Sequence, residues 1–296
     1  MNIYSVISAN KIKSVVFITL FIVFFSFVFY LLGNLIGDPN TFFLVGFLIS
    51  IVSGFLSYFY SDKYIVFATK AKPATKKEFF DYYTTTENLA IAAGIPMPKL
   101  YIIESEALNA FATGRNPKHA LVCITTGLLS RLERSEIEGV ISHELSHIKN
   151  FDILIASIVT VLVGTLVLAI DFISRGWMYG RINRDSRNSS YLTLILLIVV
   201  VVLTPILATL IQLAISRKRE YLADASGALL TRNPDSLAYA LEKMSVDSHS
   251  LKSASGATAH LFITNPLRTK DVKAKIAGLF STHPPIKERI RILRQM

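Results

Sequence analysis

A chain of 296 residues that is 52% hydrophobic, with a mean hydropathy of +0.47, carries more apolar side chains than a soluble core of that size needs. Its net charge of +10 comes without the interleaved aromatic platform of a single-strand binder, so nucleic acid is set aside as a partner in favour of lipid head groups. The lone Cys123 excludes an internal disulfide and, within "ALVCIT", is expected to pack in a strand.

Four apolar runs, about 15–36, 41–60, 153–173 and 191–215, reach the roughly 20 residues that cross a ~30 Å hydrocarbon layer. The first follows Lys11 and Lys13. It exceeds the about 7–15 residues of a signal h-region and no A-x-A-like site follows, so it reads as a retained anchor. The loop "GDPN" at 37–40 has no Lys or Arg, whereas Lys63, Lys70, Lys72, Lys76 and Lys77 follow the second run. The positive-inside rule then puts the N-terminus and the soluble part in the cytoplasm of a multi-pass cell-membrane protein. Arg175, Arg181, Arg184 and Arg187 disagree, since they would be external if runs three and four both cross. Either that hairpin departs from the rule or it does not fully cross. The expected plan is a two-helix anchor (1–60), a first soluble part (61–152), a membrane hairpin (153–215) and a second soluble part (216–296).

In the first soluble part, "KKEFFDYYTTTENLAIAA" at 76–93 suits a helix stopped by Gly94 and "IPMP". Short β-type runs follow at 99–103, 109–113 and 120–125, enough for a small sheet. Ser135 and Glu138 form a capping-box pattern, and Ile137, Val140, Ile141, Leu145 and Ile148 recur at helical spacing. Beyond the fourth run, 216–230 and 234–244 read as helices and "THPPIKERIRILRQM" as a Pro-initiated one. The fold class expected is an α+β membrane protein, mainly helical, with about four transmembrane helices and a small sheet.

His143 and His147 stand four apart on the predicted helix, so their rings share a face and can converge on one ion. With Glu144 they make H-E-x-x-H, in which two imidazoles hold zinc and the glutamate takes a proton from water. The rival is a solvated helix face with two unrelated histidines. His119, His249 and His260 stand in no supporting pattern, and Glu220 is the better third ligand. An antiparallel hairpin of runs three and four would bring it back beside the histidines. Asp224, one turn on, would then accept the free ring N–H of a zinc-bound histidine, unless both acids merely line an exposed helix end beside Arg217 and Arg219. Asp152 either serves a similar purpose or caps the helix where it meets the membrane; both readings stay open.

"SHELSHIKN", "SRKREYLADASGALL" and "STHPPIKERI", behind two N-terminal spans, resemble the HtpX-type membrane zinc metallopeptidases, gluzincins related to the CAAX prenyl proteases. The resemblance implies a zincin-like cytoplasmic domain with one Zn2+, ligands His143, His147 and Glu220, and a catalytic Glu144. It implies an endopeptidase acting on damaged or misfolded membrane proteins. "LNAFATG" at 108–114 resembles the family's strand before the active-site helix; as an edge strand it would pair with substrate, with Asn109 and Ala110 the positions to watch, and as an internal one it would not. His283 is the candidate donor to the developing oxyanion, or else a structural cap of the last helix. Two alternatives remain: a selective CAAX-type processing enzyme, for which four spans enclose too small a chamber, and a non-enzymatic scaffold with a structural zinc.

Overall fold

A computed structural model describes residues 3–178, 217–267 and 284–296. Helices α1 (Ile3–Ile36) and α2 (Pro39–Phe59) run antiparallel, and the side chain of Asp38 caps α2 by accepting from the Thr41 N–H. On α2 the small residues Gly46, Ser50, Ser53, Gly54 and Ser57 are buried, while Leu44, Leu48, Val52 and Phe55 are 53–55% exposed. That pattern inverts a water-soluble helix and is what lipid selects, because close packing of small residues, rather than burial of large ones, joins helices in a bilayer. The approach is tight: a Cβ on Gly46 would lie 2.5 Å from Phe29 Cβ.

Ile7–Leu31 and Pro39–Phe59 are each long and apolar enough to span. The third apolar run falls in α7 (Asp152–Met178), which qualifies only together with α6 (Arg134–Lys149), from which it bends by 83°. Two spans, or three if that bent pair counts as one, are therefore found among the described residues, against the four expected. The first turns of α7 are packed inside the protein. Ile155, Ile158, Val159 and Leu162 of α7 are buried against Phe17, Phe21 and Phe25 of α1, and Ala156 turns toward the soluble core. Large exposed apolar residues begin only at Val167. The fourth run, and the arginine loop from residue 179 on, lie outside the described residues.

After α3 (Ser61–Thr69) comes a four-stranded sheet of order β1-β2-β4-β3, with β1 (Lys72–Pro73), β2 (Lys99–Ile103), β3 (Ala110–Gly114) and β4 (Ala120–Thr125). β2 and β4 are parallel; β1 and β3 pair antiparallel. Both faces are covered, which explains the unbroken apolar run "ALVCI". Ala120, Val122 and Ile124 face α4 (Phe80–Ala93) and α6, whereas Leu121 and Cys123 face Ile65 of α3 and Phe262. Cys123 is fully buried, as expected of it. Gly94 ends α4 in the left-handed conformation, at φ +69°.

α5 (Thr126–Arg131) leads into α6, whose start differs from the one predicted. The capping box is Glu133 with Glu136, whose carboxylate accepts from the Glu133 N–H at 2.7 Å, so the helix begins before Ser135. Across α6 pack α8 (Arg217–Thr231) and α9 (Pro234–Val246), and the terminal α10 (Ile286–Leu293) packs on those two. Gly227 permits the closest approach of α8: a Cβ there would stand 3.1 Å from the His143 amide nitrogen. Two turns before Gly227 on the same helix is Glu220.

Candidate metal centre

α6 and α8 bring together what their separation of more than 70 positions conceals. One donor atom each from His143, His147 and Glu220 lies within 4.8 Å of the others. The two Nε2 atoms are 3.2 Å apart, and Glu220 oxygens stand 3.5 Å from His147 Nε2 and 3.9 Å from His143 Nε2. Both outer nitrogens are tied to carboxylates. His143 Nδ1–H donates to Asp224 Oδ1 at 2.9 Å, and His147 Nδ1–H donates to Asp152 Oδ2 at 3.0 Å. This fixes the tautomer that aims both Nε2 lone pairs into the same space. Two lone pairs facing each other repel unless a cation sits between them.

The donor set fits a zinc ion. Nitrogens about 2.0–2.1 Å from a tetrahedral zinc stand about 3.3–3.4 Å apart, close to the Nε2 separation of 3.2 Å. The charges agree as well. Among the described residues of the cluster, the buried carboxylates of Glu144, Glu220, Asp224 and Asp152 face the guanidiniums of Arg219 and Arg289, leaving two negative charges for a divalent ion to balance.

Burial and Arg289 push the His143 imidazole down to about 4, although Asp224 opposes them. For His147 burial works the same way, but the bond from Asp152 and the charges of Glu220, Asp152 and Glu144 outweigh it and hold the ring up at about 9. A field that favours a proton there favours a metal cation too. Asp224 resists the upward pull of its burial because Arg289 and His143 hold it down at about 2.

Arg289 was not singled out from the sequence. It is fully buried and grips Asp224 with two bonds, Nε to Oδ2 at 2.8 Å and Nη2 to Oδ1 at 2.6 Å. Its signal was present: Arg289 shares with Ile286, Ile290 and Leu293 the apolar face of a terminal helix, where a cation needs a partner. Asp152, left open above, is the partner of His147. His260 lines the same cleft, its Nε2 3.2 Å from Thr160 Oγ1.

β3 is an edge strand, as one of the two readings of 108–114 expected. The Asn109 side chain donates to Thr264 O at 2.9 Å, and Ala110 O accepts from Ile263 N at 3.0 Å, so this end of the edge is already occupied. With Ala110 facing away from β4, the period of two turns Ala112 outward as well. Ala112 lines the cleft with His143, Glu144 and His147. Asn109 and Ala110 thus lie at the occupied end of the edge, and Ala112 lies where the edge borders the cleft. His283 lies outside the described residues.

Comparison with known proteins shows the family. Peptidase family M48 matches residues 77–296. The chain is 43% identical over 298 residues to a protease HtpX homolog of Dictyoglomus thermophilum, covering 99% of this chain and 94% of the relative. It is 46% identical over 274 residues to one of Thermococcus sibiricus, covering 90% and 89%. The crystal structure of S. mikatae Ste24p superposes with a TM-score of 0.51 at 18% identity over 97% of this chain and 66% of that one, so the chain spans just under two thirds of that neighbour's length. The chain belongs to peptidase family M48, among its HtpX-type members, and is a membrane metalloprotease.

Proposed function

We propose that the chain is a zinc endopeptidase in which His143, His147 and Glu220 hold the metal and Glu144 moves the proton. The observation that carries this reading is the convergence of three donors whose outer bonds already fix the ligating tautomers. Zinc bound there would supply Lewis-acid polarisation of water and of the scissile carbonyl. Glu144, 2% exposed and beside both histidines in the cleft, takes a proton from the attacking water and returns one to the departing amine. The backbone of Ala112 offers an edge on which an extended substrate aligns, leaving sequence preference to side-chain pockets. Three protein donors among the described residues match a catalytic zinc rather than a closed structural one, which favours the enzyme over the scaffold.

The substrates are damaged or misfolded membrane proteins reached from the cytoplasmic side. Support comes from the position of the site: α7 leaves the active-site helix at Asp152, so membrane-bound chains are met at high effective concentration. Lysines on both sides of the α1–α2 pair and none in its connecting loop support the orientation. Residues 1–60 then serve as anchor, 153–215 as the membrane hairpin, and 61–152 with 216–296 as one catalytic unit.

Glu144→Gln keeps the zinc donors intact and removes the proton carrier. Metal analysis should find the metal retained while cleavage of an unfolded membrane protein in proteoliposomes falls by about 10²–10⁴-fold or more. Wild-type turnover in that variant would remove Glu144 from its role, and preferential cutting of a prenylated peptide would favour the processing-enzyme reading.

A further inference from the structure

Asn10 is unusual for its place. It lies one turn inside the span Ile7–Leu31 and is 2% exposed, and a buried amide needs partners. Its bonds lead away from its own helix. Nδ2 donates to Asp152 Oδ1 at 2.9 Å and to Asn150 O at 3.0 Å, and Oδ1 accepts from Arg219 Nη1 at 3.4 Å. These partners are the bend between α6 and α7 and the residue just before Glu220. Ser14, one turn further on and equally buried, shows the ordinary alternative: its hydroxyl donates to the Asn10 carbonyl of the same helix at 2.8 Å.

We propose that Asn10 is a positioning residue of the metal centre, through which the N-terminal membrane helix holds the Asp152 carboxylate against His147. The inference rests on the metal-site reading above. Asp152 has one oxygen on His147 Nδ1 and the other on Asn10 Nδ2, and a carboxylate fixed at both ends cannot swing away from the imidazole. Arg219 closes the ring, its Nε 3.7 Å from Asp152 Oδ1, and so ties the helix of Glu220 to the same point. Four helices meet there: α1, α6 through His147, α7 through Asp152, and α8. An α1 displaced from this contact leaves His147 without its fixed tautomer, so the peptidase is fully competent only while its anchor is in place.

The test is zinc affinity of the full chain in lipid nanodiscs, by competition with a chromogenic chelator, combined with the d–d absorption of the Co2+-substituted protein. Asn10→Ala should weaken zinc by about 10-fold, the lower end for a group that orients a ligand's partner, and shift the Co2+ bands; Ser14→Ala should do neither. Added to Asp152→Asn, it should cost little more, because the carboxylate it orients is already gone. Added to Asp224→Asn, on the opposite histidine, it should multiply in full. Exchanging the pair, Asn10→Asp with Asp152→Asn, should bind zinc more tightly than Asn10→Asp alone, which guards against a variant that only misfolds. Affinity of Asn10→Ala within about twofold of wild type, or full multiplication with Asp152→Asn, would overturn the proposal. Undiminished zinc binding by His147→Ala would instead overturn the metal-site reading on which it stands.

Discussion

The two histidines of the motif are held from opposite sides of the molecule. His143 is backed by Asp224, and Asp224 by Arg289 from the terminal helix of the soluble part. His147 is backed by Asp152 at the start of α7, and Asp152 by Asn10 from the first membrane helix. The soluble side uses a fully buried, doubly bonded ion pair; the membrane side uses an amide, with the guanidinium of Arg219 further off at 3.7 Å. One motif thus depends on two units, and the difference in partners teaches that the two sides should fail differently: the first through stability, the second through metal retention.

The largest stability effect is expected at the soluble pole. Asp224→Asn removes the carboxylate that Arg289 grips with two bonds and leaves this buried charge only Glu220, at 3.8 Å, a loss of about 3 kcal/mol that thermal unfolding in detergent should register as a drop in Tm. Asp152→Asn should lower zinc affinity by about 10–100-fold with a much smaller change in Tm. Equal Tm losses in the two variants would erase the distinction between the poles.

The anchor can be perturbed without touching either carboxylate. Gly46→Leu pushes a side chain into Phe29 and should cost about 1–3 kcal/mol of helix packing, seen as easier unfolding in detergent, with zinc binding kept as long as Asn10 stays in place.

The smallest effect lies away from the metal, at Asp247, which joins Arg131, His249 and the Leu108 amide ahead of the edge strand. Burial works to raise this carboxyl, but His249, the Leu108 N–H and Arg131 bring it from 3.8 down to about 2. A depressed folded-state pKa stabilises the protein above the unfolded value and loses that contribution as pH falls. The Tm advantage of wild type over Asp247→Asn should therefore be constant near neutrality, shrink below about pH 4 and vanish near pH 2. An advantage unchanged across that range would remove the ionised carboxylate from the account.

Much of this was legible in the residues because local chemistry set it. The strands at 99–103 and 120–125, the stop at Gly94 and the H-E-x-x-H helix follow from period, turn residues and spacing. Glu220 and Asp224 were reachable from the expectation that an antiparallel hairpin of runs three and four returns to the face it left. What stayed hidden depends on tertiary contact. Nothing near Asn10 in the chain announces a bond across 142 positions, and Arg289 looks like one of several arginines in a basic helix until its face is known. The third apolar run shows a further limit: composition does not tell which part of such a run faces lipid and which part, like Ile155 and Ile158, is buried against the first membrane helix. Ala112 required knowing that Ile263 had already taken the next position on the edge.

One measurement bears most directly on the claim that α6 and α8 jointly grip a single divalent ion. X-ray absorption at the zinc edge of the full-length protein should show one zinc per chain, with two imidazole nitrogens at about 2.0–2.1 Å and the remaining positions filled by oxygen, and Glu220→Gln should alter that oxygen shell. A protein without zinc when amply supplied with it, or a shell lacking histidine, would contradict it.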